Sequence, residues 1–508
     1  MKTVRMLVLC CLLISAVGLR LTPQSQRLRP LDFKTFQADL AGFSAARRQT
    51  VGQWLRDCNI LQLQDRMSRG QLTSEQLTLY CLDQIRQRDE RLRGYIELNP
   101  RALQEARESD RLRASGTMLG PLQGIPINLK DNIETATPMH TSGGAEILLN
   151  YVPLRDAPLV TDLRQSGAVI LGKASLSELA GVVSSRHPGF NAVSGAGLNP
   201  YGAGLPVLGS SSGSAITTSA YLTVASVGTE TSGSLLAPAS FNGVVAMKPS
   251  LQLVSNQGVI PLIHFQDSPG PVARTVTDAA VLLQCLAHSS SYLDGLKAEA
   301  LQGVRVGLLP EAWTPGLRAQ RIRLGLQQAG AISITLHQPL QGIDLQPNIV
   351  LGVSYDLIPY LRQCGAPVRS LAELQRYNLS RSARRIPFGQ DFVDLCLSHQ
   401  HALLQQAGLS QAEGAEYYHK LSLSNRARAS QILNQIFERD RLEVLVSHSN
   451  VSSAYYATAG FPAITIPLGL NQNGLPISVS LIGKPGQDGL LLSYAYALEQ
   501  ATRLRVDP

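Results

Sequence analysis

Two hydrophobic rhythms run along the chain, and the places where one gives way to the other mark its elements. Thr73 followed by Gln76 has the form of a capping box, and apolar Leu77, Tyr80, Cys81 and Ile85 follow at helical spacing, so a helix is predicted there. Asn99-Pro100 predicts a second helix start, with Asn as cap and Pro in the first turn. Ile125, Ile127 and Leu129 then alternate with Pro126, Asn128 and Lys130, the two-residue period of a short strand, and Asp131-Asn132 reads as the turn after it. Residues 158–172 read as a helix, a break at Ser166-Gly167 and a buried strand over 168–171. A helix followed directly by a buried strand implies an α/β core.

The region 194–214 is rich in Gly, Ser and Pro, and predicts a loop. A helix over 215–222, a short apolar strand at 224–227 and a polar turn over 229–234 come next. Residues 296–440 are mostly helical in pattern and carry no motif. Short β-rich pieces return at 444–446, 463–466 and 477–482, before a final helix over about 489–502. There is no internal repeat.

Composition bounds the class. With 508 residues, 44% hydrophobic and 16% charged, the chain is globular and can bury a full core. The net charge of +8 owes much to arginines near the start, among them Arg20, Arg27, Arg29, Arg47, Arg48 and Arg56. These read as solvated helix faces, because no basic–aromatic alternation or recognition motif accompanies them, and no nucleic-acid partner is expected. Lys2 and Arg5 precede an apolar run over 6–17 and then small residues, the layout of a secretory signal with cleavage after Gly18. The run is short for a membrane span, although an uncleaved anchor is the alternative, and a secreted or periplasmic location follows. Beyond it lie five widely spaced cysteines without a CxxC pair, which read as structural.

Three chemistries compete for the polar motifs. Gly167 to Lys173 fits GxxxxGK, but Ala174 stands where a Ser or Thr should hold magnesium, and the four intervening residues are apolar. Gly209-Ser210-Ser211-Ser212-Gly213 fits GxSxG, which would make Ser211 the nucleophile of an α/β-hydrolase esterase, with Asp267 and His448 available for a triad. That motif needs a strand leading into the first glycine, whereas residues 202–208 read as loop. The third reading joins Lys130 at a strand end, Ser210 in the Gly/Ser loop and Ser234 closing a second polar turn. Amide hydrolysis needs a nucleophile, a base and a site for the oxyanion. A lysine made neutral by burial can be the base, and a serine hydroxyl can relay a proton because it both donates and accepts. A tight turn ending in Gly233-Ser234 can aim consecutive N–H groups at one point.

The residues in this order resemble the amidase signature family. The match runs through Gly120-Pro121-Leu122-Gln123-Gly124-Ile125-Pro126 to Lys130-Asp131-Asn132, the serine-rich Gly209 to Ala215, Gly228 to Ser234 with Pro238-Ala239, Gly243 to Pro249, and Ala459 to Pro467. It covers 60–290 well and 440–502 less closely, and it is most similar to bacterial peptide amidases around Ile260-Pro261, Phe265-Gln266-Asp267 and Gly270-Pro271. The resemblance implies one large α/β domain, a mixed central sheet surrounded by helices. It implies a catalytic core over 71–295 behind a helical segment over 19–70, a helical insertion over 296–440 shaping the cleft, and 441–508 completing the same domain. It implies Lys130 as base, Ser210 as bridging serine after a cis peptide bond, and Ser234 as the acylated nucleophile. Backbone N–H groups of Thr231, Ser232, Gly233 and Ser234 would form the oxyanion hole. Ser232 stands where many members have glycine, and Leu236 where some have an arginine, which disfavours a carboxylate on the substrate.

The expected activity is hydrolysis of a carboxamide, with C-terminally amidated peptides as one substrate class. No cofactor is expected, and the nine histidines suggest no metal cluster. A monomer acting on a small-molecule or peptide amide is the expected form, with a catalytically inactive amidase-like binding protein as the further alternative. Asn378-Leu379-Ser380 and Asn450-Val451-Ser452 are glycosylation sequons. N-terminal sequencing of the protein exported by its producing cell should begin at Leu19; a chain starting at Met1 would replace the cleaved signal with an anchor.

Overall fold

A computed structural model describes residues 27–289 and 291–508, so the expected signal over 1–18 lies outside the described residues. The strands are β1 (Tyr95–Leu98), β2 (Pro126–Lys130), β3 (Val169–Ala174), β4 (Phe190–Asn191), β5 (Gly195–Ala196), β6 (Ala225–Glu230), β7 (Val245–Lys248), β8 (Ser268–Ala273), β9 (Arg305–Leu308), β10 (Ile332–Thr335), β11 (Val444–Ser447), β12 (Ala463–Leu470) and β13 (Pro476–Ile482). Eleven of them make one sheet in the order β1-β3-β2-β6-β8-β7-β12-β13-β11-β9-β10, while β4 and β5 pair separately. The sheet is mixed. β2 lies parallel to both β3 and β6, β9 lies parallel to β10 and β11, and the pairs between β6 and β11 are antiparallel.

Both faces of the sheet are covered, so its central strands are buried throughout and read as near-continuous apolar runs. In β11, Val444 and Val446 enter the core built with the helices Ser74–Leu92, Val276–Leu286 and Asp488–Thr502. Leu445 between them enters the opposite core, built with Leu236–Phe241, Ser453–Ala459 and the end of Gly414–Arg439. This is a single domain of α/β class with a mixed central sheet surrounded by helices. No described helix is long and apolar enough to cross a membrane.

The local signals act as their chemistry dictates. Thr73 and Gln76 close a reciprocal capping box on Ser74–Leu92. The predicted start at Asn99 moves, because its side chain is drawn away. Asn99 Nδ2 donates to the Ile170 carbonyl on β3 at 2.7 Å and Oδ1 accepts from the Arg101 N–H, so the helix runs Ala102–Ala114. Residues 296–440 are not helix alone. They supply β9 and β10, four-residue strands at the sheet edge, too short to show a period among helical neighbours. Their helical part packs a separate apolar cluster, from Val350 to Tyr418, against Leu148, Leu179, Val183 and Ile263 of the core loops.

The GxxxxGK stretch is β3 itself, buried at every position. Gly172 is there for the neighbouring strand: a Cβ at this position would lie 2.4 Å from the Glu97 carbonyl oxygen of β1. Gly172→Ala is therefore expected to lower stability by about 1–3 kcal/mol, measured as a lower urea midpoint with unchanged slope.

Candidate active site

The ends of β2 and β6 converge because the two strands are parallel neighbours, with Leu129 level with Val227. Lys130 closes β2 and is fully buried. Its Nζ lies 2.7 Å from Ser210 Oγ, 2.8 Å from Thr229 Oγ1 and 3.3 Å from the Thr229 carbonyl. Asn132 Nδ2 donates to the same Thr229 hydroxyl at 3.0 Å. Burial pushes the Lys130 ammonium down to about 7, against the opposing pull of Asp267 and then Glu230. Half of this lysine is thus neutral near pH 7.

Ser210 precedes the helix Ser212–Ser219, and the Gly209–Ser210 peptide bond is cis. Its carbonyl accepts from the Ser177 N–H at 3.0 Å. Ser211 N–H donates to the Ser234 carbonyl at 3.1 Å, which stitches the Gly/Ser loop to the turn bearing Ser234. Lys130 and Ser210 are thus in direct contact, and the residue after Ser210 is tied to Ser234 through the backbone, which brings together three distant parts of the chain.

The turn leaves β6 after Glu230 and enters the helix Leu236–Phe241. Glu230 Oε2 caps that helix, accepting from the N–H of Leu235 at 2.8 Å and Leu236 at 3.1 Å. Among the described residues, no group accepts from the N–H of Ser232, Gly233 or Ser234. Gly233 sits at φ +89°, where a Cβ would also meet Asn450 at 2.5 Å. Ser232, where many members have glycine, donates its hydroxyl to Ser453 Oγ at 3.0 Å.

The esterase alternative is corrected by these contacts. Ser211 is fully buried, its Oγ donating to the Thr229 carbonyl at 3.0 Å and accepting from the Thr229 N–H at 3.2 Å, so it braces β6 instead of facing a cleft. Asp267 is bonded to Thr231 Oγ1 and to the N–H groups of Leu262 and Ile263, not to a histidine. His448 is buried and pushed down to about 3, by desolvation and then by Arg318, so it is no proton carrier near neutrality. Among the described residues, no cluster of three or more His, Cys, Asp or Glu is placed to hold a metal ion. The sequon residue Asn378 is buried and donates to Gln390 at 3.1 Å, so it presents no free surface amide for a glycan, whereas Asn450 is half-buried beside Gly233.

Sequence reasoning gave Thr229 no separate role, took Gln266 and Asp267 only as part of the peptide-amidase resemblance and Asp267 also for the esterase, and read Asn450 only as a sequon. Thr229 had a usable signal: an inward hydroxyl on the strand beside Lys130. Asn450 had none, because it reaches the turn only through the fold.

A family model described as Amidase matches residues 76–318. The chain is 34% identical over 486 residues to a probable amidase of Arabidopsis thaliana, covering 89% of this chain and 92% of that protein. Among solved structures it is similar to an amidase family protein from Bacillus anthracis, at 31% identity and a TM-score of 0.86, covering 94% of this chain and 97% of that one. It is likewise similar to the native peptide amidase from Stenotrophomonas maltophilia, at 34% identity and a TM-score of 0.79, covering 89% and 98% of the two chains. With the buried lysine and serine in contact at the end of adjacent parallel strands, these likenesses show that the chain belongs to the amidase signature family and is an amide-hydrolysing enzyme.

Proposed function

We propose that the enzyme hydrolyses carboxamides through Ser234 as nucleophile, Ser210 as proton bridge and Lys130 as base. The observation that carries this is the 2.7 Å contact between Lys130 Nζ and Ser210 Oγ in a fully buried setting. A neutral amine has two N–H donors and one lone pair. The Thr229 carbonyl and hydroxyl are placed for the two donors, which leaves the lone pair for the Ser210 proton.

The steps then balance. Lys130 takes the Ser210 proton while Ser210 takes that of Ser234, and Ser234 Oγ bonds to the amide carbon. The carbonyl becomes an oxyanion held by N–H groups of the 231–234 turn. Collapse breaks the C–N bond, and the leaving nitrogen receives the proton back through Ser210. Water, deprotonated by the same relay, attacks the acyl carbon; the bond from that carbon to Ser234 Oγ breaks, the relay returns the proton to Ser234, and the acid leaves.

Likeness to the Stenotrophomonas peptide amidase supports C-terminally amidated peptides as substrates. Leu236 adds to that support: it is buried with Ala239 and Phe461, so this position offers no cation to a substrate carboxylate. Export is part of the same reading, resting on Lys2, Arg5 and the apolar run after them. The inactive binding-protein alternative has no lost catalytic group to support it.

Lys130→Ala and Ser234→Ala are each expected to lower kcat/KM by about 1,000-fold or more without loss of folding. A His448→Ala protein that loses turnover while Ser234→Ala keeps it would reverse the assignment. Because the base must be neutral, wild-type activity should rise with pH through about 7 and level off above it; an optimum confined to acid pH would contradict the lysine. In an ammonia-release screen, amidated peptides should turn over faster than amides bearing a free carboxylate nearby.

A further inference from the structure

The turn carrying Ser234 is gripped at its first residue from two sides. Gln266 Nε2 donates to the Thr231 carbonyl at 2.6 Å, and Thr231 Oγ1 donates to Asp267 Oδ1 at 2.5 Å. The other Asp267 oxygen accepts from the N–H groups of Leu262 at 2.9 Å and Ile263 at 3.2 Å, so the buried carboxylate is fixed in place. Asp267 is bonded to Thr231, and Lys130 to Thr229 two residues earlier in the same stretch, so both charges sit on one strand end. Against the effect of burial, Asp267 first and Glu230 second favour the Lys130 ammonium. Glu230 is committed to capping the helix behind Ser234. Beyond Lys130, the groups facing Asp267 are Asp356, which receives His264 Nδ1 at 2.7 Å and the Tyr418 hydroxyl at 2.6 Å, and through it those two side chains.

We propose, building on the Lys130–Ser210–Ser234 reading, that Asp267 is a positioning residue with two separable effects: it anchors the nucleophile turn through Thr231, and its charge sets the basicity of Lys130. An anion beside a buried lysine stabilises the ammonium, so Asp267 keeps the amine a stronger base than burial alone would leave it. Without that charge the lysine loses its proton at lower pH, but takes one from Ser210 less readily.

Two variants separate the effects. Asp267→Asn removes the charge but keeps a side chain able to bond Leu262, Ile263 and Thr231 after reorientation. Thr231→Val removes the anchoring hydroxyl and keeps the charge. The readouts are the pH profile of kcat for an amidated peptide and the pH dependence of acylation by a fluorophosphonate, with thermal melts for folding. Asp267→Asn should move the acid limb down by about one pH unit and lower the plateau. Thr231→Val should leave the acid limb in place and lower the plateau roughly 10-fold or more, and Asp267→Glu should bring the limb back toward the wild-type position. An Asp267→Asn limb coincident with wild type overturns the electrostatic effect, and a wild-type plateau in Thr231→Val overturns the anchor. Should Asp267→Asn not fold, Thr231→Val still decides the anchor, and a limb that moves in it would overturn the separation. A wild-type profile with no rise near pH 7 removes the lysine reading itself, and this inference with it.

Discussion

Removing the Lys130 amine from water is the constraint on which the site depends. An ammonium in the interior costs several kcal/mol unless it is compensated. Among the described residues three lysines are fully buried, and their surroundings differ. Lys173 lies 3.4 Å from Asp131 and donates to two carbonyls and the Thr141 hydroxyl, so it is held as part of a charged network. Lys248 donates to the Pro249 carbonyl and is drawn down to about 8. Lys130 instead meets two hydroxyls and one carbonyl, partners that suit an amine as well as an ammonium. An active site running without histidine needs such a lysine, whose charge is only weakly favoured.

The rest of the architecture delivers partners to that amine. Parallel pairing of β2 with β6 brings Thr229 beside Lys130, although about a hundred residues separate them. The loop before Ser212–Ser219 lies across the same strand ends, tied to β6 by Ser211 and to the nucleophile turn by the bond to the Ser234 carbonyl. Because Glu230 caps the helix after the turn, the turn is fixed at its exit as well as at Thr231. Rigid support on both flanks suits N–H donors that must meet a developing oxyanion without reorganising.

The helical part of 296–440 is fastened to these loops by carboxylates as well as by apolar packing. Asp356 receives the backbone and ring N–H of His264, Glu146 receives Arg384 and Arg385, and Asp391 receives the hydroxyls of Ser184 and Ser185. Since His264 lies three residues before Asp267, the hub at Asp356 links this region to the segment that grips the nucleophile turn.

Much of this was written in local order. The alternation ending at Lys130, the capping box at Thr73 and the strand hidden in GxxxxGK are short-range properties, and each was legible because neighbouring residues fix backbone period and turn chemistry. Each of Lys130, Ser210 and Ser234 sits in an ordinary strand end, loop or turn, and they could be named from the sequence because those stretches, in that order, resemble the amidase signature. Their meeting could not be derived from period or spacing, since strand order and the parallel register of β2 on β6 are set by packing between distant segments. Asn99 gave its side chain to β3 and so shifted a helix start, and the four-residue strands β9 and β10 took their identity from their neighbours, β9 from β11 and β10 from β9. Ser211 and Asp267 looked like parts of an esterase triad until tertiary contacts used one to brace β6 and the other to hold Thr231. The sequence by itself determined which groups are present and how each short stretch folds. Only the tertiary structure decided that Lys130 is buried, because burial is a property of what surrounds a residue, and burial favours its neutral amine.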